Sequence, residues 1–153
     1  MSVVSIRHHI ESLGGVLTLA PAPGDGTPEI AWGDFFFYYA PDGVLPNGQP
    51  FATIVTKDYP DDTTSRLNRE GAFRVNVAAG AMQFRRWTGR EPRQLTVAPI
   101  DPVDDVVLAH PVYGELGWLC VTNPGPHSSE SLRDLLRTAH AAARARYERR
   151  GSA

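Results

Sequence analysis

Absences set the first bounds on this chain. It has one cysteine, Cys120, so no disulfide can form within it. One cysteine and five scattered histidines offer no ligand set for a structural zinc, and no metal or other cofactor is expected. No stretch approaches the ~20 apolar residues of a membrane span. The N-terminus, Met1 to His9, lacks the apolar core of a signal peptide. The expectation is therefore a cytoplasmic protein with no membrane partner. A charge excess is missing too: the net charge of -2 exerts no general pull on nucleic acid or anionic lipid. Lysine is nearly absent, and Lys57 is the sole one among fifteen basic residues. No internal repeat and no long linker divides the chain, so residues 1–153 read as one domain, with the last few residues disordered.

What is present is an ordinary globular composition, with 42% hydrophobic and 21% charged residues. Its organising stretch is Phe35-Phe36-Phe37-Tyr38-Tyr39. Five aromatics in a row favour the pleated sheet and are apolar on both faces, which predicts a central strand covered on both sides. Val3, Ile6, Ile10 and Leu13 at helical spacing predict a first helix, stopped by Gly14-Gly15. Val16–Ala20 and Phe51–Thr56 read as strands. The second should pair antiparallel with the aromatic strand, because the connection between them is short and rich in turn residues. Pro60 breaks the chain, and Asp62 or Thr63 could cap a short helix to about Glu70. Phe73 to Val77 alternates: Phe73, Val75 and Val77 face in, Arg74 and Asn76 face out to solvent. Ala81–Thr88 predicts a helix stopped by Gly89. Leu95–Val97 could add an edge strand. Asp101-Pro102 opens a further helix with Val103, Val106 and Val107 turned to the core.

Trp118–Thr122 is the last strand, and Cys120 within it reads as a buried small hydrophobe. The last helix is capped by Ser128 or Ser129 and carries Leu132, Leu135, Leu136, Ala139 and Ala143 in one stripe. His127 and His140 read as surface residues. The sum is an α+β protein: a central, mainly antiparallel sheet with N-terminal and C-terminal helices packed on it.

Candidate chemistry is sparse. Lys57, Asp58, Arg74, Asn76, His110, Tyr113 and Trp118 mix polar groups at strand ends with aromatics, as small-ligand sites do. Arg74 and Asn76 with Lys57 could form an anion site, and His110 with Tyr113 could serve as acid, base or orienting groups. Asp58, Asp61 and Asp62 lack the glycine and closing glutamate of a calcium loop, so a solvated acidic turn is the plainer reading. Arg85, Arg86, Arg90 and Arg93 surround Trp87 and form the best local basic patch.

With these residues laid out, the chain resembles a mainly actinobacterial family of small proteins of unknown function. The likeness rests on Phe51 to Pro60, Arg69 to Asn76, His110-Pro111-Val112-Tyr113-Gly114, and Trp118 with Asn123-Pro124. In that family a proline tends to precede the histidine motif, and here Ala109 stands there. More distantly the chain is similar to MmcQ/YjbR-like proteins, some of which have been proposed to bind DNA. That resemblance implies an N-terminal helix, an antiparallel sheet and a closing amphipathic helix, and leaves function open.

The leading expectation is a non-catalytic domain that binds a small molecule or a protein, as a monomer or homodimer. The alternatives are a small enzyme using His110 as general acid or base, and a weak nucleic-acid binder through residues 85–93. Whether any reaction is catalysed is left open.

Overall fold

Alternation along one strand governs the architecture, because each residue of a strand is committed to one of two sheet faces. The computed structural model describes residues 1–92 and 103–151. They form α1 (Val3–Ser12), β1 (Val16–Leu19), β2 (Phe35–Tyr39), β3 (Ala52–Val55), β4 (Arg74–Ala78), α2 (Ala81–Thr88), β5 (Leu108–Ala109), β6 (Trp118–Thr122) and α3 (Ser129–Gly151). The strands make one sheet in the order β1-β2-β3-β4-β6-β5, with every neighbouring pair antiparallel. The fold is α+β with helices at both ends of the chain.

One face of the sheet carries the helices. Phe37, Ala52, Ile54, Val75, Val77, Leu119 and Val121 meet Ile6 and Ile10 of α1, Phe84 of α2 and the Leu132, Leu135, Leu136, Ala139 stripe of α3 in one core. The local signals explain the elements. Ser2 and Ser5 cap α1 reciprocally. Gly89 ends α2 in the left-handed conformation.

The start of α3 is held from a distance. Asp105 accepts the backbone N–H groups of Gly125, His127 and Ser128 and the Ser128 hydroxyl. These bonds, the Ser128 hydroxyl's foremost, hold its carboxyl well below the ordinary range. Asp105 also sits at a φ of 61°, where aspartate and asparagine are tolerated better than most residues. Asp105→Ala will therefore lower the Tm measured by circular dichroism, whereas Asp105→Asn, which keeps an acceptor and tolerates that φ, will recover most of the loss.

Several expectations are corrected here. The aromatic strand is not central: β2 lies second from one edge, and β3 and β4 occupy the middle. Of its five aromatics Phe37 is fully buried and the others are half-buried. No helix forms after Pro60. Tyr59-Pro60-Asp61-Asp62 closes as a tight turn, with the Tyr59 and Asp62 backbones exchanging both hydrogen bonds. The Asp58 carboxylate accepts the Leu67 N–H at 2.8 Å, and Asn68 accepts the Asp58 N–H at 3.1 Å. These side-chain bonds to backbone, with Arg66 left-handed, hold the segment in turns instead of a helix.

No helix runs from 103 to 107, Val103 is exposed, and Leu108–Ala109 is a strand that periodicity did not reveal. Asp101 and Pro102 lie outside the described residues, as does the predicted strand Leu95–Val97. Ser128 stands at the expected cap position just before α3, and its hydroxyl donates to Asp105. His140 is buried, with its Nε2 2.7 Å from the Gly14 carbonyl and its ring edge-on to Tyr39 and Phe51. Arg74 and Asn76 do point away from the helices, yet both are buried, because a second layer covers that face.

Candidate functional site

The second layer is built from loops. The turns of 57–72 and the loop 110–117 fold over the face that carries Phe36, Tyr38, Thr53, Val55, Arg74 and Asn76. Between loops and sheet lies a cavity of about 350 Å³, within the size range of small-molecule sites. Phe36, Tyr38, Tyr59, Tyr113 and Trp118 line it as aromatic walls, with Val55 and Val112. Its floor is polar: Arg74, Asn76, Thr53 and His110.

Arg74 is the hub of that floor. It is 1% exposed and forms a two-point pair with Asp62, at 3.0 and 2.5 Å. It also donates to the Ser65 hydroxyl at 2.9 Å and, through Nε, to the Asn76 carbonyl at 2.7 Å. Asn76 in turn donates to the Thr53 hydroxyl across the β3–β4 pairing. A buried guanidinium needs this degree of satisfaction, because burying an unpaired charge costs several kcal/mol, on the order of 3–5. Burial works to raise the Asp62 carboxyl. The hydrogen bonds and charge of Arg74 outweigh it, so the carboxyl titrates below its ordinary range. Pro60 in the tight turn places Asp62 here.

His110 stands beside Arg74 at the end of β5. Burial foremost, then the guanidinium, push its pKa down to about 3, against a smaller pull from Asp62. The ring is thus neutral at ordinary pH. Its Nδ1 accepts the N–H groups of Val112 and Tyr113 at 3.0 and 2.9 Å, and its Nε2 lies 3.1 Å from Arg74 Nη2. A lone pair taken by two backbone donors is not free to abstract a proton, which argues against a general base. Tyr113, half exposed at the mouth, lies over the His110 ring at 4.9 Å between centroids.

The predicted residues divide cleanly. Arg74, Asn76, His110, Tyr113 and Trp118 share the cavity, while Lys57 and Asp58 are not among its lining. Asp58 is spent on the loop backbone. Lys57 donates to the Asp34 carboxylate at 3.0 Å and to the Trp32 carbonyl at 2.7 Å. Asp34 is fully buried and also accepts the Thr56 N–H and hydroxyl and the Tyr59 hydroxyl. Burial foremost, then that bond, raise the Tyr59 phenol. Lys57 thus braces the strand ends beneath one wall and forms no anion site with Arg74. Asp61 is exposed and Asp62 is bound to Arg74, so the acidic loop is not one solvated turn. Among the described residues no group of three His, Cys, Asp or Glu side chains could hold a metal ion. Cys120 is buried, its thiol pushed up to about 12 by burial.

The basic patch is only partly available. Arg85 pairs with Glu91 at 3.0 Å, Arg86 and Arg90 are exposed, and Arg93 lies outside the described residues. No helix among the described residues is long and apolar enough to cross a membrane.

Sequence reasoning missed Asp62, Thr53, Phe36, Tyr38 and Tyr59 as members of the site. The signal that could have found two of them, Phe36 and Thr53, is register. Phe36 pairs with Thr53, and Thr53 with Asn76, so one row crosses the sheet on the face of the covered aromatics.

Fold and site together define an α+β protein with a six-stranded antiparallel sheet, helices on one face and a polar-floored, aromatic-walled cavity on the other. The chain belongs to the family of unknown function DUF6194, whose model matches residues 1–152. No curated protein and no solved structure matches it.

Proposed function

We propose that the protein is a non-catalytic binding domain that takes a small, largely apolar molecule into the cavity beneath the 57–72 and 110–117 loops. One observation carries this reading: five of the seven candidate residues, Arg74, Asn76, His110, Tyr113 and Trp118, converge on one concavity of about 350 Å³. Aromatic walls supply apolar contact area, and a few fixed polar groups supply orientation. The reading includes one domain over 1–153, supported by a sheet whose strands run from residue 16 to residue 122. It includes a bacterial cytoplasmic setting, in keeping with a single free cysteine. A monomer or homodimer serves equally, and kinship with MmcQ/YjbR-like proteins is part of the proposal on fold pattern alone.

The test is native mass spectrometry of the gently purified 16.7 kDa chain, paired with a fluorescence titration using methylnaphthalene. The expected result is a bound mass or saturable probe binding that disappears in Val112→Trp, which fills the cavity without touching the Arg74 bonds. Equal binding by that variant, or no mass and no saturable titration, overturns the reading.

A further inference from the structure

We infer that the cavity recognises its ligand through an acceptor oxygen, a carbonyl or carboxylate on a flat apolar body, seated on the cavity side of His110 Nε2 and Arg74 Nη2. The inference rests on the binding reading above and adds the ligand's chemistry.

It follows from counting protons. A neutral imidazole offers one lone pair and one N–H. His110 Nδ1 faces two backbone donors, the N–H groups of Val112 and Tyr113. They cannot withdraw, because they belong to the turn in which the His110 carbonyl accepts the Gly114 N–H at 3.0 Å. The lone pair is therefore on Nδ1 and the proton on Nε2. That Nε2 lies 3.1 Å from Arg74 Nη2. A guanidinium has donors only, so two N–H groups confront each other on the cavity floor with no acceptor between them. The His110 and Arg74 residues are 4% and 1% exposed, so an acceptor can reach the mismatch only from the cavity they line.

The rest of the floor has the same polarity. The Thr53 hydroxyl accepts from Asn76 Nδ2 and keeps its own hydrogen, and Asn76 Nδ2 keeps a second one. An oxygen that accepts from both His110 Nε2 and Arg74 Nη2 turns the mismatch into two hydrogen bonds, one of them charge-assisted. A neutral carbonyl is favoured over a carboxylate, because Asp62 already balances Arg74 and Asp61 adds a negative charge to the lining. The flat aromatic faces of Phe36, Tyr38 and Trp118 suit a flat body.

Nitrogen NMR of the imidazole and titration of four naphthalenes, bearing a carboxamide, a carboxylate, an aminomethyl or a methyl group, test this on the full chain. In the free protein the His110 proton will be on Nε2. The carboxamide will bind about tenfold or more tightly than the methyl compound, and its binding will shift the Nε2 proton resonance. His110→Asn keeps an acceptor for the two backbone N–H groups but has no Nε2, and with it the carboxamide's advantage over the methyl compound will shrink several-fold to what Arg74 alone supplies. A proton on Nδ1, equal affinity for carboxamide and methyl compound, or tightest binding of the aminomethyl compound overturns the inference and leaves the binding reading standing. Failure of all four, the methyl compound included, overturns both.

Discussion

Asp62→Ala will lower the unfolding free energy by about 3–5 kcal/mol, the cost of leaving a buried charge without its partner. Asp62 satisfies two N–H groups of Arg74, whose side chain is 1% exposed, from a position itself only 9% exposed. Its removal leaves the guanidinium with Asn76 and Ser65 as neutral acceptors and no counter-charge. The 57–72 turns cover the side of the group that Asp62 occupied, and only the cavity side can meet water. Urea denaturation with a fluorescence readout measures the loss.

The double variant Asp62→Leu with Arg74→Met separates the two sources of that loss. It removes both charges and fills the space with apolar side chains, so it will recover most of the stability. The cavity floor will then carry no charge, and the preference of the cavity for a carbonyl-bearing probe will fall to what His110 Nε2 alone supplies. A loss below about 1 kcal/mol in Asp62→Ala, the range of an exposed pair, would mean that the floor is open to water.

The second large effect is the acid side of the stability curve. The His110 pKa falls from 6.5 to about 3 on folding. Between those values the unfolded chain binds the proton and the folded chain does not. Stability therefore rises with pH through this window: the contribution is complete above 6.5 and is lost progressively as the pH falls toward 3. The slope reaches about 1.4 kcal/mol per pH unit for one group, and the whole window is worth on the order of 5 kcal/mol.

His9, lowered by burial and by Arg137 and Arg133, and Asp62, depressed by Arg74, act with the same sign. Both stay in place in His110→Asn. The difference between the wild-type and His110→Asn curves of stability against pH therefore isolates His110. The variant will be flatter between pH 6.5 and 4, and parallel curves would sink the account. The groups facing the ring are Arg74 and Asp62 from across the floor, Tyr113 from its own loop and Trp118 from the neighbouring strand β6.

Much of the secondary structure was legible because periodicity and stop signals agree there. Ala81–Thr88, Phe35–Tyr39 and Trp118–Thr122 stand where spacing and glycine placed them. The segment 57–72 was not legible as turns, because Asp58, Asn68 and Ser65 act through bonds to partners up to ten residues away. His140 looked like a surface residue because its position in the helix says nothing of the Gly14 carbonyl that comes to meet it. Asp34 and Asp105 look like ordinary loop carboxylates in one dimension. In three they gather donors from segments 20 or more residues away.

The site was half legible for the same reason. Alternation along β4 shows that Arg74 and Asn76 turn away from Val75 and Val77. It does not show what lies on that other side. The sequence by itself determined five of the six strands and the three helices, the apolar face that the helices cover, and the residue types able to bind. Only the tertiary structure decided that two loops roof the second face, that Asp62 reaches Arg74, and that His110 closes the floor. Periodicity is a local property of the backbone, whereas cover is a contact between segments far apart in the chain, and the burial of a charge is settled by such contacts.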